Sequence, residues 1–290
     1  LDLTADLKGI PQDLLQLVAA NRPLAGTLGA QVRLTGPLDA PIGTLSLQVR
    51  DLRLAASAGR NVPPFQITLA ATLGAEGTTV DGRIETGSRG NLRLQGRIGG
   101  RPPYAAGALT LRADGRVDLS LLDPRLTPGG RQVSGQLVIA AGLGGTLAAP
   151  RLNGTLGLDN VAVRDRTIGL ALTGVNGTLR LAGDTVRIER LTGQAGRGTL
   201  SLSGSVGVLA PGLPVDLRLV AAKARPIQLD QLDLEGDADL SLRGRWDQGL
   251  TAAGAVRFSR IDIRLPERLP TNVAVLEVRE RGRPGHNDQS

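Results

Sequence analysis

The stretch from Gly135 to Leu158 reads GQLVIAAGLGGTLAAPRLNGTLGL. Aliphatic residues recur in it at every second position over short runs, as at Leu156 and Leu158, with glycine and small polar residues between. Successive side chains of a strand point to opposite faces, so a period of two makes one face aliphatic and the other polar. The stretch therefore predicts strands. One wet face favours antiparallel hairpins over a parallel sheet buried on both sides.

The same alternation runs through the chain. The positions expected to line one aliphatic face are Leu45, Leu47, Leu92, Leu94, Leu119, Leu156, Leu158, Leu170, Leu172, Val186, Ile188, Leu200, Leu202, Leu217, Leu219, Leu240, Leu242, Ile261 and Ile263. Val49, Val117, Leu121, Ile168, Leu179, Leu181 and Val215 continue the same runs. Gly36, Gly96, Gly154, Gly204 and Gly244 fall between them and read as turns, where a positive φ costs glycine little. One segment departs from the pattern. PQDLLQLVAA (11–20) has Pro11 at a first helical position and Leu14, Leu15 and Val18 on one side, which predicts a short helix.

The opening stretch also repeats. GTLGAQVRLTGPLDAPIGTLSL (Gly26–Leu47) and GDADLSLRGRWDQGLTAAGAVRF (Gly236–Phe258) match it, so copies begin near 26, 135 and 236. The match extends downstream: VDGRIETGSRGNLRLQGRI (Val80–Ile98) parallels VRIERLTGQAGRGTLSLSGSV (Val186–Val206). Upstream, LDLTADLKGIPQDLLQL, LTLRADGRVDLSLLDP and VDLRLVAAKARPIQLDQ hold the same place before each copy. A period of about a hundred residues means several strands per copy, a sheet extended unit by unit. Residues 1–278 form this repetitive region; the polar, aperiodic residues 279–290 read as a tail or linker.

Composition narrows the chemistry. With 41% hydrophobic residues but only two Phe, one Tyr, one Trp and no Met, the apolar content is almost wholly aliphatic. Cysteine is absent, and the one histidine, His286, lies in the tail. That removes thiolate sites, histidine triads and histidine metal clusters. Carboxylates are scattered, and Asp237 and Asp239 read as solvated outer groups. The glycine runs at 142–145 and 193–198 follow no strand-then-helix pattern, so no phosphate loop is expected. No enzyme activity, cofactor or metal is expected. The net charge of +7 is spread as single arginines, and with few aromatics to stack on bases no nucleic-acid partner is expected. No apolar run reaches the roughly 18 residues of a membrane helix, and neither an initiator Met nor a signal peptide is present, so the chain reads as an internal piece.

The phrase GTLAAPRLNGTLGL (Gly145–Leu158) and the string LRLAGDTVRIERLTGQAGRGTLSLSGSV (Leu179–Val206) resemble the repeats of the TamB family and its AsmA-like relatives. The ending IDIRLPERLPTNVAVLEV (Ile261–Val278), with Pro266, Pro270, Val273 and Leu276, resembles the segment preceding that family's C-terminal domain. The third copy departs by carrying Ala253 where the others have Pro41 and Pro150, and the family's C-terminal domain is expected to be missing.

The resemblance implies an all-β fold: an elongated antiparallel sheet curled into an open groove, the β-taco. It further implies a periplasmic place in the bacterial envelope, an inner-membrane anchor outside this piece, and an Omp85-type outer-membrane partner met through other regions. The cargo it implies is phospholipid acyl chains, or unfolded outer-membrane protein strands. The alternation alone equally fits a closed β-solenoid or sandwich whose aliphatic face packs on itself, or a passive scaffold or adhesin repeat. A membrane barrel fits poorly, because its lipid-facing strands carry aromatic girdles.

Overall fold

Short aliphatic–polar runs broken by glycine bury one face by pairing side by side, and the computed structural model shows that outcome. It describes residues 2–10, 24–37, 40–54, 62–100, 107–229 and 232–263. Strands β1 (Asp2–Ile10), β2 (Leu24–Thr35), β3 (Ile42–Leu54), β4 (Phe65–Gly74), β5 (Gly77–Glu85), β6 (Gly90–Gly99) and β7 (Leu109–Asp118) open the chain. After a helical insert follow β8 (Arg131–Gly145), β9 (Pro150–Asp165), β10 (Leu170–Gly183), β11 (Thr185–Ala195), β12 (Gly198–Val206) and β13 (Pro214–Ala224). The two-residue β14 (Gln228–Leu229), then β15 (Leu232–Arg245) and β16 (Gly249–Ile263), complete the described chain.

All of them belong to one antiparallel sheet in which sequence neighbours are spatial neighbours. β14 extends the β13 edge of β15, and β16 takes the other edge. β1 pairs with β2 and β16 with β15, so the sheet does not close into a barrel. The expected all-β curled sheet is the architecture found.

The three sequence copies fall on equivalent hairpins: β2–β3, β8–β9 and β15–β16. With β14 counted as part of the β13 edge, the repeat is six strands. Ala253 lies inside β16, whereas Pro41 and Pro150 stand at the starts of β3 and β9. The proline's counterpart in the third copy is thus the Trp246–Gln248 turn.

Three sequence expectations need correction. Gly96, Gly154, Gly204 and Gly244 lie inside β6, β9, β12 and β15, and of the five glycines only Gly36 sits at a turn. At Gly204 φ is +129°, and a Cβ there would strike the carbonyl oxygen of Asp216 on β13. Gly154, at φ +101°, meets the Ala140 carbonyl in the same way. Such mid-strand glycine kinks bend a strand within its length, which is how a sheet acquires curl.

Second, Leu119 and Leu121 are not strand residues. They lie in a 3-10 turn (Leu119–Leu122) that leads into one α-turn (Asp123–Leu126) and a second 3-10 turn (Thr127–Gly129). Asp118 begins this insert by accepting the Ser120 N–H at 2.9 Å, Pro124 fills an early helical position, and Gly130 at φ +74° ends it. Third, Ile168 lies in the β9–β10 turn and is exposed. The helix expected at 11–20 lies outside the described residues. Its segment joins β1 to β2, the connection equivalent to the helical β7–β8 insert.

Candidate functional site

Residues directly opposite in an antiparallel ladder share a face, so the pairing registers trace the sheet surface. One row runs Leu28, Val49, Ile67, Ile84, Leu92, Gly115, Ile139, Leu156, Leu179, Ile188, Gly204, Leu217 and Leu242 across β2 to β15. The next row along the strands runs Leu137, Leu158, Gly177, Leu191, Leu202, Leu219 and Leu240. The expected lining residues fall on this continuous aliphatic face, Leu119 excepted. Ile261 and Ile263 share its parity through Leu234 and Leu232, yet on the edge strand they are 52% and 67% exposed.

The registers add Ile67, Leu69, Leu137, Ile139 and Leu191, which the sequence reading left out of the lining. Leu191 escaped because a bulge between Ile188 and Leu191 replaces two-residue spacing by three. The others follow the period of two, so the signal was present at those positions.

The face is lined but not filled. Most of its leucines and valines are half-buried, and among the described residues no large side chain is fully buried. A packed sandwich core would bury many. The shielding comes from side-by-side neighbours and curl rather than from a second layer.

Packing tightens along one long margin. Connections between antiparallel strands alternate between the two margins of the sheet. One margin carries tight or apolar links such as Ala75–Glu76 and Asp184; the other carries the helical insert and the link after β13. At that second margin Leu121 comes within 3.5 Å of where a Gly90 Cβ would stand, so it turns over the aliphatic face. Farther along, the link after β13 crosses the tip of the β11–β12 hairpin. Arg225 N donates to Ala195 O at 2.8 Å, and Ala171 N of β10 donates to Pro226 O at 3.0 Å. Ala195, Ala221 and Ala224 form a small buried core beneath it, with Leu172, Leu200 and Ala238 against it.

Asp165 ends the aliphatic face of β9 at this margin and is 8% exposed. Arg131 Nε donates to its Oδ2 at 2.9 Å, and Thr167 N donates to Oδ1 at 2.9 Å. The Arg131 hydrogen bond holds this carboxyl below the usual carboxylate range; desolvation opposes it, and Thr167 adds to the lowering.

The opposite face is polar. Arg218 grips Asp239 through two hydrogen bonds of 2.9 and 2.6 Å, Arg243 reaches Asp216 at 3.1 Å and Arg180 reaches Glu189 at 3.0 Å. These pairs are solvent-exposed and add little stability each. Their arginines are compensated, so the net charge resides elsewhere.

Among the described residues no cluster of His, Cys, Asp and Glu is arranged to hold a metal ion. What the arrangement offers is an apolar trough with a charged exterior.

The family model TamB, described as the TamB C-terminal domain, matches residues 189–289. The expectation that this domain is missing is thereby overturned: β12, β13, β15 and β16 lie within the matched region. Neither a curated protein nor a solved structure matches the chain. Through residues 189–289 the match supports membership of the TamB family.

Proposed function

We propose that this chain forms part of a hydrophobic conduit in the bacterial envelope, carrying phospholipid acyl chains across the periplasm or assisting the assembly and secretion of outer-membrane proteins. The observation that carries the reading is the continuous aliphatic face, on which no second layer is packed among the described residues. The TamB match over residues 189–289 points to the same role in lipid or protein transport.

The residue types suit sliding over capture. Removing an acyl chain from water gains about 0.8 kcal/mol per CH₂, so a chain of ~16 carbons gains on the order of 12 kcal/mol. A bilayer and an aliphatic trough offer nearly the same gain, which leaves transfer between them close to neutral. Leu, Val and Ile give a wall without the polar or stacking groups that would select and hold one ligand. The reading assigns the chain no catalytic step, no cofactor and no nucleic-acid partner. An Omp85-type outer-membrane protein is the partner it implies, reached through other regions, with an anchor in the inner membrane.

Photocrosslinking tests the trough. A photoreactive residue at Leu202 or Leu170, both on the aliphatic face, should capture lipid from vesicles, whereas one at Thr173 on the polar face should not. Equal labelling at all three sinks the conduit. Leu202→Arg should abolish lipid capture while keeping the β-sheet circular dichroism; simultaneous loss of the sheet would instead indicate a packed core.

A further inference from the structure

Sorting the turns by margin exposes a charge pattern that is invisible along the sequence. At the margin carrying the helical insert, the five successive described connections are those of β5–β6, β7–β8, β9–β10, β11–β12 and β13–β14. They hold Arg89, Arg125, Arg166, Arg197 and Arg225, one arginine each; Asp123 is the carboxylate within them, and Glu85, Asp118 and Asp165 stand at the strand ends beside them. At the other margin the described connections hold Glu76, Asp184 and Asp247 and no cation. Arg97 and Arg245 pair with Glu76 and Asp247, so the second lip is largely neutralised and the arginine row belongs to the first.

Connections on one margin recur every second strand, so these arginines step along the lip at roughly 10 Å, twice the strand spacing. Arg225 is committed to Asp233. Arg89, Arg125, Arg166 and Arg197 have no ion-pair partner among the described residues, and the last three are exposed. The Asp123 carboxylate accepts the Val133 N–H at 3.1 Å. At that spacing, about one Debye length at 0.1 M salt, exposed guanidiniums repel one another only weakly, and each is open to an anion beside the apolar trough.

We propose that this lip is a phosphate-binding rail for the headgroups of lipids whose chains lie in the trough. The inference rests on the conduit reading above and adds a polarity to it. A phospholipid leaves its charged head in water, and on a trough bounded by strand ends that head emerges at a lip. Guanidinium is the side chain best matched to phosphate oxygens. One arginine every second strand provides repeated weak sites, which guide a moving headgroup without trapping it.

The test uses the full chain and vesicles of dioleoylphosphatidylcholine containing a minor fraction of dioleoylglycerol, which has the same chains and no phosphate. Captured lipid is separated by size exclusion and quantified by mass spectrometry, relative to the vesicle ratio. The wild-type chain should enrich phospholipid over diacylglycerol about threefold to fivefold, the worth of one exposed ion pair. The variant R89A/R125A/R166A/R197A should lose that enrichment while still capturing lipid, and the fourfold Arg→Lys variant should largely restore it. A ratio near one in the wild type, or an enrichment unchanged in the alanine variant, overturns the rail and leaves the trough standing. Loss of enrichment caused equally by millimolar inorganic phosphate alone, at constant ionic strength, marks a free-anion site and overturns it too. Capture of neither lipid by the wild type refutes the conduit and the rail together. Thermal melting should be unchanged in the variants, because none of the four side chains makes a hydrogen bond or ion pair among the described residues.

Discussion

Strands β11 and β16 carry the same kind of alternating sequence in one sheet and meet opposite fates. In β11, Ile188, Leu191 and Ala195 are buried. In β16 nearly every residue is exposed, and Val256, Phe258 and Ile261 stand about half bare. β11 has a paired strand on each side and lies beneath the link that crosses to β10. β16 has β15 on one side and, among the described residues, nothing on the other. In a one-layer sheet, then, burial is decided by flanking strands and curl. Side-chain identity has little say.

That contrast can be broken by mutation, and the largest effect should come from the kinks. Gly204→Val adds side-chain atoms where the Asp216 carbonyl stands and imposes a strained φ, so it should destabilise by about 3 kcal/mol or more. Gly249→Val near the β16 edge, at φ +114° with nothing within 4 Å of its Cβ, should cost only the strain, about 1–2 kcal/mol. Thermal melts of the two variants side by side measure the difference; equal shifts would mean the curl does not depend on close approach.

Truncation gives the next largest effect. Leu191→Ala should cost about 2–3 kcal/mol in chemical denaturation. Val256→Ala should cost under about 0.5 kcal/mol, as for an exposed position. Similar losses at both would show that something covers β16 in solution.

The smallest effect is electrostatic and sharpens the account of the closed margin. The Asp165 carboxyl titrates below its ordinary value in the folded chain. Its stabilising contribution is therefore fully present above the unfolded value, about pH 3.9, and is lost as pH falls through the lowered folded one. Asp165→Asn should lower the melting midpoint at neutral pH, and the gap to wild type should narrow toward pH 2. A gap independent of pH would assign the loss to packing.

Much of the fold was legible beforehand because alternation and repetition are local. Leu156, Leu158, Leu217 and Leu219 needed only the period of two to be placed on one face. The glycines were misread because a turn and a kink demand the same residue for the same reason, a φ that other residues avoid. Only the neighbouring strand's carbonyl distinguishes them. Leu119 and Leu121 were misread because two alternating leucines are too few to separate a strand from a 3-10 turn. The cap at Asp118 and the Asp123–Pro124 pair were the available signals.

By itself the sequence determined a one-sided aliphatic sheet, extended in copies and nearly free of aromatics, because side-chain direction in a strand follows from position alone. The tertiary structure decided what pairing and bending control. It left the face lined rather than filled, since among the described residues no second layer meets it. It placed the glycines where strands bend, and it gathered arginines scattered through the sequence onto one lip, because antiparallel order sends every second connection to the same side.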